Sequence, residues 1–445
     1  MKKNDEYIVD IIDYGANGEG IAKIDGFTIF VTGALKGEKC RIIILKVNKN
    51  YGFGKVKEVI ESSKKRAEAD CSTYPRCGGC SLRHIKYSET LKIKNEKVLN
   101  LINKTFGKDS KIKINQAVGM DEPFYYRNKA IFPISKDKHP GIFASRSHNV
   151  IPFDKCKIQT ELSQKIAKYV CDNWKSSIYD ESKNKGCLRN IMIREAFKTN
   201  EVMLVLVENN YLNDALDIEK LIQKFPMIKT VVVNINNQIT NVVLTNENIV
   251  LYGDGYITDI LKDKKFKISP NSFYQVNPVQ TVKIYDLAIE KANLNKNDIL
   301  CDLYCGIGTI GIFSSDKVKK VYGIEIVEQA VENAKENARI NNIKNIEFIN
   351  GDVEYAFDEL LKKNIKPNAV IVDPPRKGLD KKTIQNLKEL KLEKIIYVSC
   401  SPETLVRDLK ELSEVYQIKE ITPIDNFPYT SHVECVTVLY AKETL

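Results

Sequence analysis

Nowhere does the chain carry the roughly 18 consecutive apolar residues that a membrane-spanning helix needs. The lysines of the N-terminal MKKNDEYIVDIIDYG lead into no apolar h-region, so the sequence offers no secretory leader. Internal repeats and low-complexity tracts are missing too. A strong charge of one sign is also lacking: 68 Lys and Arg against 58 Asp and Glu leave a net +10. That surplus suits a nucleic-acid partner and suits a lysine-rich solvated surface equally well. A cytoplasmic protein with no membrane partner is the expectation. The length of 445 residues suggests two to four domains.

What is present in quantity is cysteine, eleven in all. An odd count without a leader argues against a disulfide framework, so some of these thiols should ligate metal or do chemistry. Cys40, Cys171, Cys187, Cys301 and Cys435 read as buried small hydrophobes. Cys71, Cys77 and Cys80 have the spacing C-x5-C-x2-C, and Cys156 is the natural fourth. Thiolates on short loops hold zinc or an iron–sulfur cluster, and spacing alone leaves both open.

The fold expected is α/β with an appended barrel. Residues 1–60 are short glycine-broken strands, the pattern of a small OB-like β-barrel, and KVNKNYGFGKVKEV interleaves basic and aromatic residues as RNA-facing barrels do. Residues 61–268 form a central α+β region. It starts with the cysteine cluster and a helix over 87–105 whose apolar stripe is Leu91, Val98, Leu99 and Ile102. That helical region, near 88–118, is expected to pack on the catalytic domain. NIMIREAF, EVMLVLVE, TVVVNIN and NVVLT read as strands, and LNDALDIEKLIQKF as a helix. In residues 269–445 the strands DILCDLY, KVYGIEI, IEFINGD, NAVIVDPP, KIIYVSC and ECVTVLYA alternate with amphipathic helices. That rhythm predicts a doubly wound, Rossmann-like parallel sheet.

DILCDLYCGIGTIGIF runs a strand into G-x-G-x-x-G at Gly306, Gly308 and Gly311. Alone the motif also fits a dinucleotide. Glu325, ending the next strand, suits ribose hydroxyls in either case. Asp302, before the glycines, favours the cationic methionine end of S-adenosylmethionine over a pyrophosphate. Asp352 ends a third strand, where an adenine amino group would lie. The fourth strand ends in Asp373-Pro374-Pro375-Arg376 and the fifth in Ser-Cys400-Ser-Pro; Glu434 precedes the last. A thiolate adding to carbon 6 of uracil makes carbon 5 nucleophilic enough to take a methyl group, and a base must then remove the carbon-5 proton. Cys400 suits the first task and Glu434 the second, with Asp373 placed to hold the uracil edge.

At these residues, and at ISPNSFYQVNPVQTVKIY and HVECV, nearly the whole chain resembles the bacterial RNA uracil-5 methyltransferase family. Its members include 23S rRNA enzymes with a TRAM barrel and an iron–sulfur cluster, and a tRNA relative. The resemblance implies Cys400 as nucleophile and Glu434 as base. It implies S-adenosylmethionine contacts from Gln275, Tyr304, Glu325 and Asp373, with Asp352 at a position where members vary. It implies a [4Fe–4S] cluster on Cys71, Cys77, Cys80 and Cys156, serving fold and RNA binding. Thr309 departs from relatives that have Asn there. A monomer acting on RNA is expected, with 23S rRNA as target and tRNA as the alternative. An RNA cytosine-5 methyltransferase would carry a second cysteine where Arg376 stands. An adenine N-methyltransferase would carry an aromatic there. A radical tRNA enzyme with a TRAM barrel would show C-x3-C-x2-C. A non-catalytic assembly factor would not need the Cys400–Glu434 pair. Arg127 and Arg189, beside aromatic or apolar strand residues, are candidates for RNA phosphates or stacked bases, or for internal ion pairs.

Overall fold

The computed structural model describes residues 1–442 apart from 146 and 213. Six strands between Glu6 and Glu61 form the N-terminal sheet. Side-chain alternation builds its core: Phe27–Thr32 turns Ile29 and Val31 inward, and Lys39–Val47 turns in Cys40, Ile42 and Ile44. In Tyr51–Glu61 the inner positions are Gly52 and Gly54, where a Cβ on Gly52 would sit 2.9 Å from Ile29. Tyr51 and Phe53 therefore project outward and join Phe30 in an aromatic cluster with ring centroids 5.6–5.8 Å apart.

The helix Tyr87–Phe106 buries Thr90, Lys94, Val98 and Ile102, a stripe at spacing four. Leu99, expected in that stripe, is 43% exposed, and a lysine stands inside it. Val98 and Ile102 belong to one apolar cluster with Leu405, Leu409 and Tyr416 of the C-terminal region. The short strand Lys113–Ile114 then pairs in parallel with Glu420–Ile421.

Between these pieces lies a five-stranded sheet. It comprises Lys129–Pro133, Leu188–Ala196, Glu201–Glu208, Ile228–Ile235 and Asn248–Tyr252. NVVLT, residues 241–245, is not a strand. Asn236 donates to the carbonyls of Val242 and Val243 (2.8 and 3.0 Å) and Asn234 to that of Thr245 (2.9 Å). Side-chain amides thus take the place of a ladder, and Asn248–Tyr252 makes the pairing instead. The helix expected over LNDALDIEKLIQKF is only Ile218–Lys224, because Asp217 caps it through the Lys220 amide at 3.1 Å. Residue 213, in the expected helix, lies outside the described residues.

The C-terminal sheet has five parallel strands in the order Ile346–Asn350, Lys320–Glu325, Ile299–Leu303, Ala369–Val372 and Lys394–Ser399. Antiparallel Glu434–Ala441 follows, then Tyr416–Ile424 and Lys113–Ile114. Tyr416–Ile424 is a strand that the sequence reading passed over. Central strands such as Ala369–Val372 and Lys394–Ser399 are buried throughout, as parallel strands covered on both faces must be. Among the described residues no helix is long and apolar enough to cross a membrane.

Candidate active site

The carboxyl ends of the parallel strands gather the expected residues at one edge, where open α/β sheets bind ligands. Gly306 and Gly308 both adopt positive φ (55° and 82°), and a Cβ on Gly308 would meet Phe348 at 2.8 Å. Asp302 is buried and accepts from the Gly311 amide at 2.8 Å, so it pins the glycine turn. Its other oxygen is buried with no hydrogen-bond partner among the described residues. Burial pushes this carboxyl up to about 8. Glu325 accepts from the Gly306 amide (3.0 Å) and the Val327 amide (2.9 Å), fixing the two strand ends against each other. Beyond it Ile326 and Val327 stand 64% and 55% exposed. An unpartnered acidic oxygen, a glycine cradle and exposed aliphatic residues beside a carboxylate fit a ligand with a cation, a ribose and an aromatic base.

Tyr304 follows the first strand with φ of 62°, a conformation a bulky residue adopts only when its surroundings impose it. Its hydroxyl reaches Asp380 at 3.5 Å. Asp352 is exposed, and its carboxylate accepts from the Glu354 amide (3.0 Å) at the start of the helix Val353–Lys362. Gln275 is half-buried, and its carbonyl is held by the Asn128 side chain at 3.0 Å. Thr309 bonds Tyr285 at 3.1 Å, a packing role.

The ladder between the fifth and final strands runs from Lys394↔Tyr440 to Ser399↔Cys435. One step further, the same register sets Cys400 opposite Glu434. Val372 pairs with Tyr397 and with Leu303, so Asp373 and Tyr304 leave the sheet at the same edge. Glu434 is buried, and burial first, then the charge of Asp373, pushes it up to about 8. Asp373, half-buried at its strand end, is pushed by burial up to about 7. Burial pushes the Cys400 thiol up to about 11; Glu434 and Asp373 add to this and Arg376 opposes it. The three acidic groups therefore share less negative charge at neutral pH than they would carry in water.

The segment 425–433 delivers Glu434 to the edge, and its anchoring goes beyond the HVECV motif that locates Glu434 in the sequence. Lys94 makes a fully buried ion pair with Asp425 and also donates to the Phe427 carbonyl at 3.2 Å. Asn426 donates to Glu434 Oε1 at 3.4 Å. The Tyr429 carbonyl accepts from the Ser81 and Leu82 amides (3.1 and 2.9 Å), and Ser81 Oγ accepts from the Ser431 amide at 3.0 Å. Arg83 lies 4.3 Å over the Tyr429 ring. Residues directly after Cys80 thus clamp the segment directly before Glu434.

Cys71, Cys77, Cys80 and Cys156 line one cavity, floored by Ile142, Phe153 and Ile158. The Gly79 amide donates to Cys77 Sγ at 3.3 Å. Amide–sulfur bonds and an apolar wall suit a metal–thiolate group. Even so, among the described residues no three or more His, Cys, Asp or Glu side chains stand close enough together to hold a metal ion. Cys40, Cys171, Cys187, Cys301 and Cys435 are buried, as is Cys305.

Of the two candidate RNA arginines, Arg189 has its guanidinium engaged internally and Arg127 has a buried Nε with no hydrogen-bond partner among the described residues. Arg189 donates to the carbonyls of Asn236 and Gln238 (2.6 and 2.8 Å) and lies 4.3 Å over Tyr179. Among the described residues these partners are carbonyls and a ring rather than a carboxylate, so they are not an internal ion pair. Arg127 pairs through its backbone with Gln159, and its Nε is buried.

The tRNA (uracil-5-)-methyltransferase family matches residues 86–442, and the TRAM domain matches residues 2–57. An uncharacterised RNA methyltransferase of Clostridium acetobutylicum is 44% identical over 450 residues, covering 99% of this chain and 98% of that one. Another, of Caldanaerobacter subterraneus subsp. tengcongensis, is 43% identical over 454 residues, covering 99% of each. Among solved structures, the Pyrococcus abyssi tRNA (uracil-54, C5)-methyltransferase in complex with S-adenosyl-L-homocysteine aligns with a TM-score of 0.76 at 27% identity. The alignment covers 97% of this chain and 100% of that one. With a site of this geometry on a fold matched across almost its full length, the chain belongs to the tRNA (uracil-5-)-methyltransferase family of RNA methyltransferases and carries a TRAM domain.

Proposed function

We propose that the protein methylates carbon 5 of a uridine in RNA through a covalent adduct between Cys400 and carbon 6 of the base. The observation that carries this reading is the end of the ladder at Ser399↔Cys435, which leaves Cys400 and Glu434 adjacent there, with the charge of Glu434 acting on the thiol. S-adenosylmethionine supplies the electrophilic methyl group. Asp302, through its free oxygen, faces the cofactor's ammonium; Glu325 takes the ribose, Asp352 the adenine edge, and Gln275, Tyr304 and Asp373 the sulfonium end. Cys400 adds as thiolate to carbon 6, which places the electron pair on carbon 5 for methylation. Glu434 then takes the carbon-5 proton; the C–H electrons restore the 5,6 double bond and the C6–S bond breaks, returning the thiolate. Arg376 is the cation nearest in effect to Cys400 and favours its ionised form.

The four cysteines hold a [4Fe–4S] cluster in this reading, supported by their shared cavity and by the family resemblance. The substrate is 23S rRNA, supported by the barrel and cysteine cluster together. The P. abyssi tRNA enzyme's likeness favours tRNA as a second reading. The test is methyl transfer from labelled S-adenosylmethionine to 23S rRNA fragments and to tRNA transcripts, with nucleosides identified by mass spectrometry. 5-Methyluridine in 23S rRNA is expected. Label in tRNA alone would move the substrate to the second reading, and 5-methylcytidine, or no methylated pyrimidine, would overturn the function.

A further inference from the structure

Asn426 is wholly buried beside Glu434, on the strap between the last two strands of the sheet. Its Nδ2 donates to Glu434 Oε1, and its backbone carbonyl accepts from Asn277 Nδ2 at 3.0 Å. Asn277 is itself fixed, since its Oδ1 accepts from the Gln280 amide at 3.2 Å as N-cap of the helix Pro278–Ala292. On the other side, Asp425 is locked by Lys94. The backbone at 426 is thus held from two elements, while Asn426 Oδ1 has no partner among the described residues. A buried amide with an orphaned oxygen costs stability, and a group kept at that cost calls for a task that its other half performs.

We propose that Asn426 is a positioning residue for proton removal, with its side-chain amide aiming the Glu434 carboxylate at carbon 5 of the methylated adduct. This rests on the reading of Glu434 as the base. Asn426 is wholly buried, and it acts by fixing one oxygen of Glu434 and leaving the other free to accept. The donor also favours the ionised carboxylate, against its burial and the charge of Asp373. The charged groups that act on Glu434 are Asp373 and Arg376 from the end of the fourth strand, Cys400 from the fifth, and Lys94 from the helix Tyr87–Phe106.

The test uses the full-length protein with Asn426→Leu, which is close in size and removes both the donor and the orphaned acceptor. Thermal unfolding is expected at or above the wild-type temperature. In single turnover, methyl transfer to RNA keeps its rate. Release falls about tenfold, so a methylated protein–RNA adduct accumulates on a denaturing gel, and the pH profile for release moves to higher pH. Asn426→Ala serves as the second variant, should the larger side chain disturb packing, with the same adduct expected. Wild-type adduct levels and release in both variants would overturn the proposal, as would loss of adduct formation in a folded variant. Glu434→Gln is run alongside: if it traps no adduct, the assignment of the base fails instead.

Discussion

Cys400 and Glu434 stand together at the end of a ladder, yet the proposed mechanism has them act at different moments, and substitution separates them. Cys400→Ala is expected to give no covalent RNA adduct and no methylation. Glu434→Gln is expected to trap an adduct after methyl transfer, seen as a band shifted on a denaturing gel with the label retained. Identical behaviour of the two variants would refute the division of roles. The pH dependence has a definite sign. In the proposed mechanism the thiol, held up to about 11, must lose a proton before methyl transfer, so kcat/KM should climb from pH 6.5 through pH 9, while Glu434, held up to about 8, acts later and shapes kcat. A profile that is flat or falls over this range would contradict it. These residues were legible in the sequence because their chemistry is tied to type and to strand ends. Asn426 was not legible, since a lone Asn before a Phe-Pro pair reads as a turn residue. The carbonyls of Asn236 and Gln238 that hold Arg189 were not legible either, since they lie far along the chain.

The helix Tyr87–Phe106 shows what periodicity conveys and what it omits. Its limits were legible, and Val98 and Ile102 were found on the buried face. Lys94 was not, because a lysine in an amphipathic helix reads as solvated and its partner Asp425 is 331 residues away. With both charges fully buried, removing one strands the other. Lys94→Met should destabilise the fold by about 3–5 kcal/mol, while Lys94→Met with Asp425→Leu should recover most of the loss, as followed by thermal unfolding. Equal destabilisation in both variants would show that the pair does more than neutralise itself. At the cysteine element, protein purified without oxygen should be brown with about four iron atoms per chain. Colourless, zinc-bearing protein would exclude the iron–sulfur reading. Six strands of the C-terminal sheet were readable as apolar runs. Tyr416–Ile424 was passed over because Lys419 and Glu420 interrupt its apolar alternation.

Over the whole molecule, buried titratable groups set opposing slopes of stability with pH. Asp302, Asp373, Glu434 and Glu195 are raised to between about 7 and about 8, chiefly by burial. Their contribution is complete below the ordinary carboxylate range and is lost as pH climbs through these values. His84 and His432 are lowered to about 4, again by burial first, so their contribution is present above the ordinary histidine value and is lost as pH falls. Four carboxylates outweigh two histidines, so the unfolding temperature should fall as pH climbs from 5 through 8, and Asp302→Asn should flatten that fall. A maximum at pH 9 would reverse the argument.

The C-terminal sheet is assembled from two separated lengths of chain, with Tyr87–Phe106 and Lys113–Ile114 on one side of the central sheet in sequence and residues 299–441 on the other. On the ribosome this fixes an order of events. The helix emerges with Lys94, Val98 and Ile102 facing solvent, and roughly three hundred residues must follow before Asp425 and the helix Pro402–Leu412 exist to cover them. The segment that carries Asn426 beside Glu434 is also what seals that helix, so Glu434 reaches its place only after that long stretch of chain has been made.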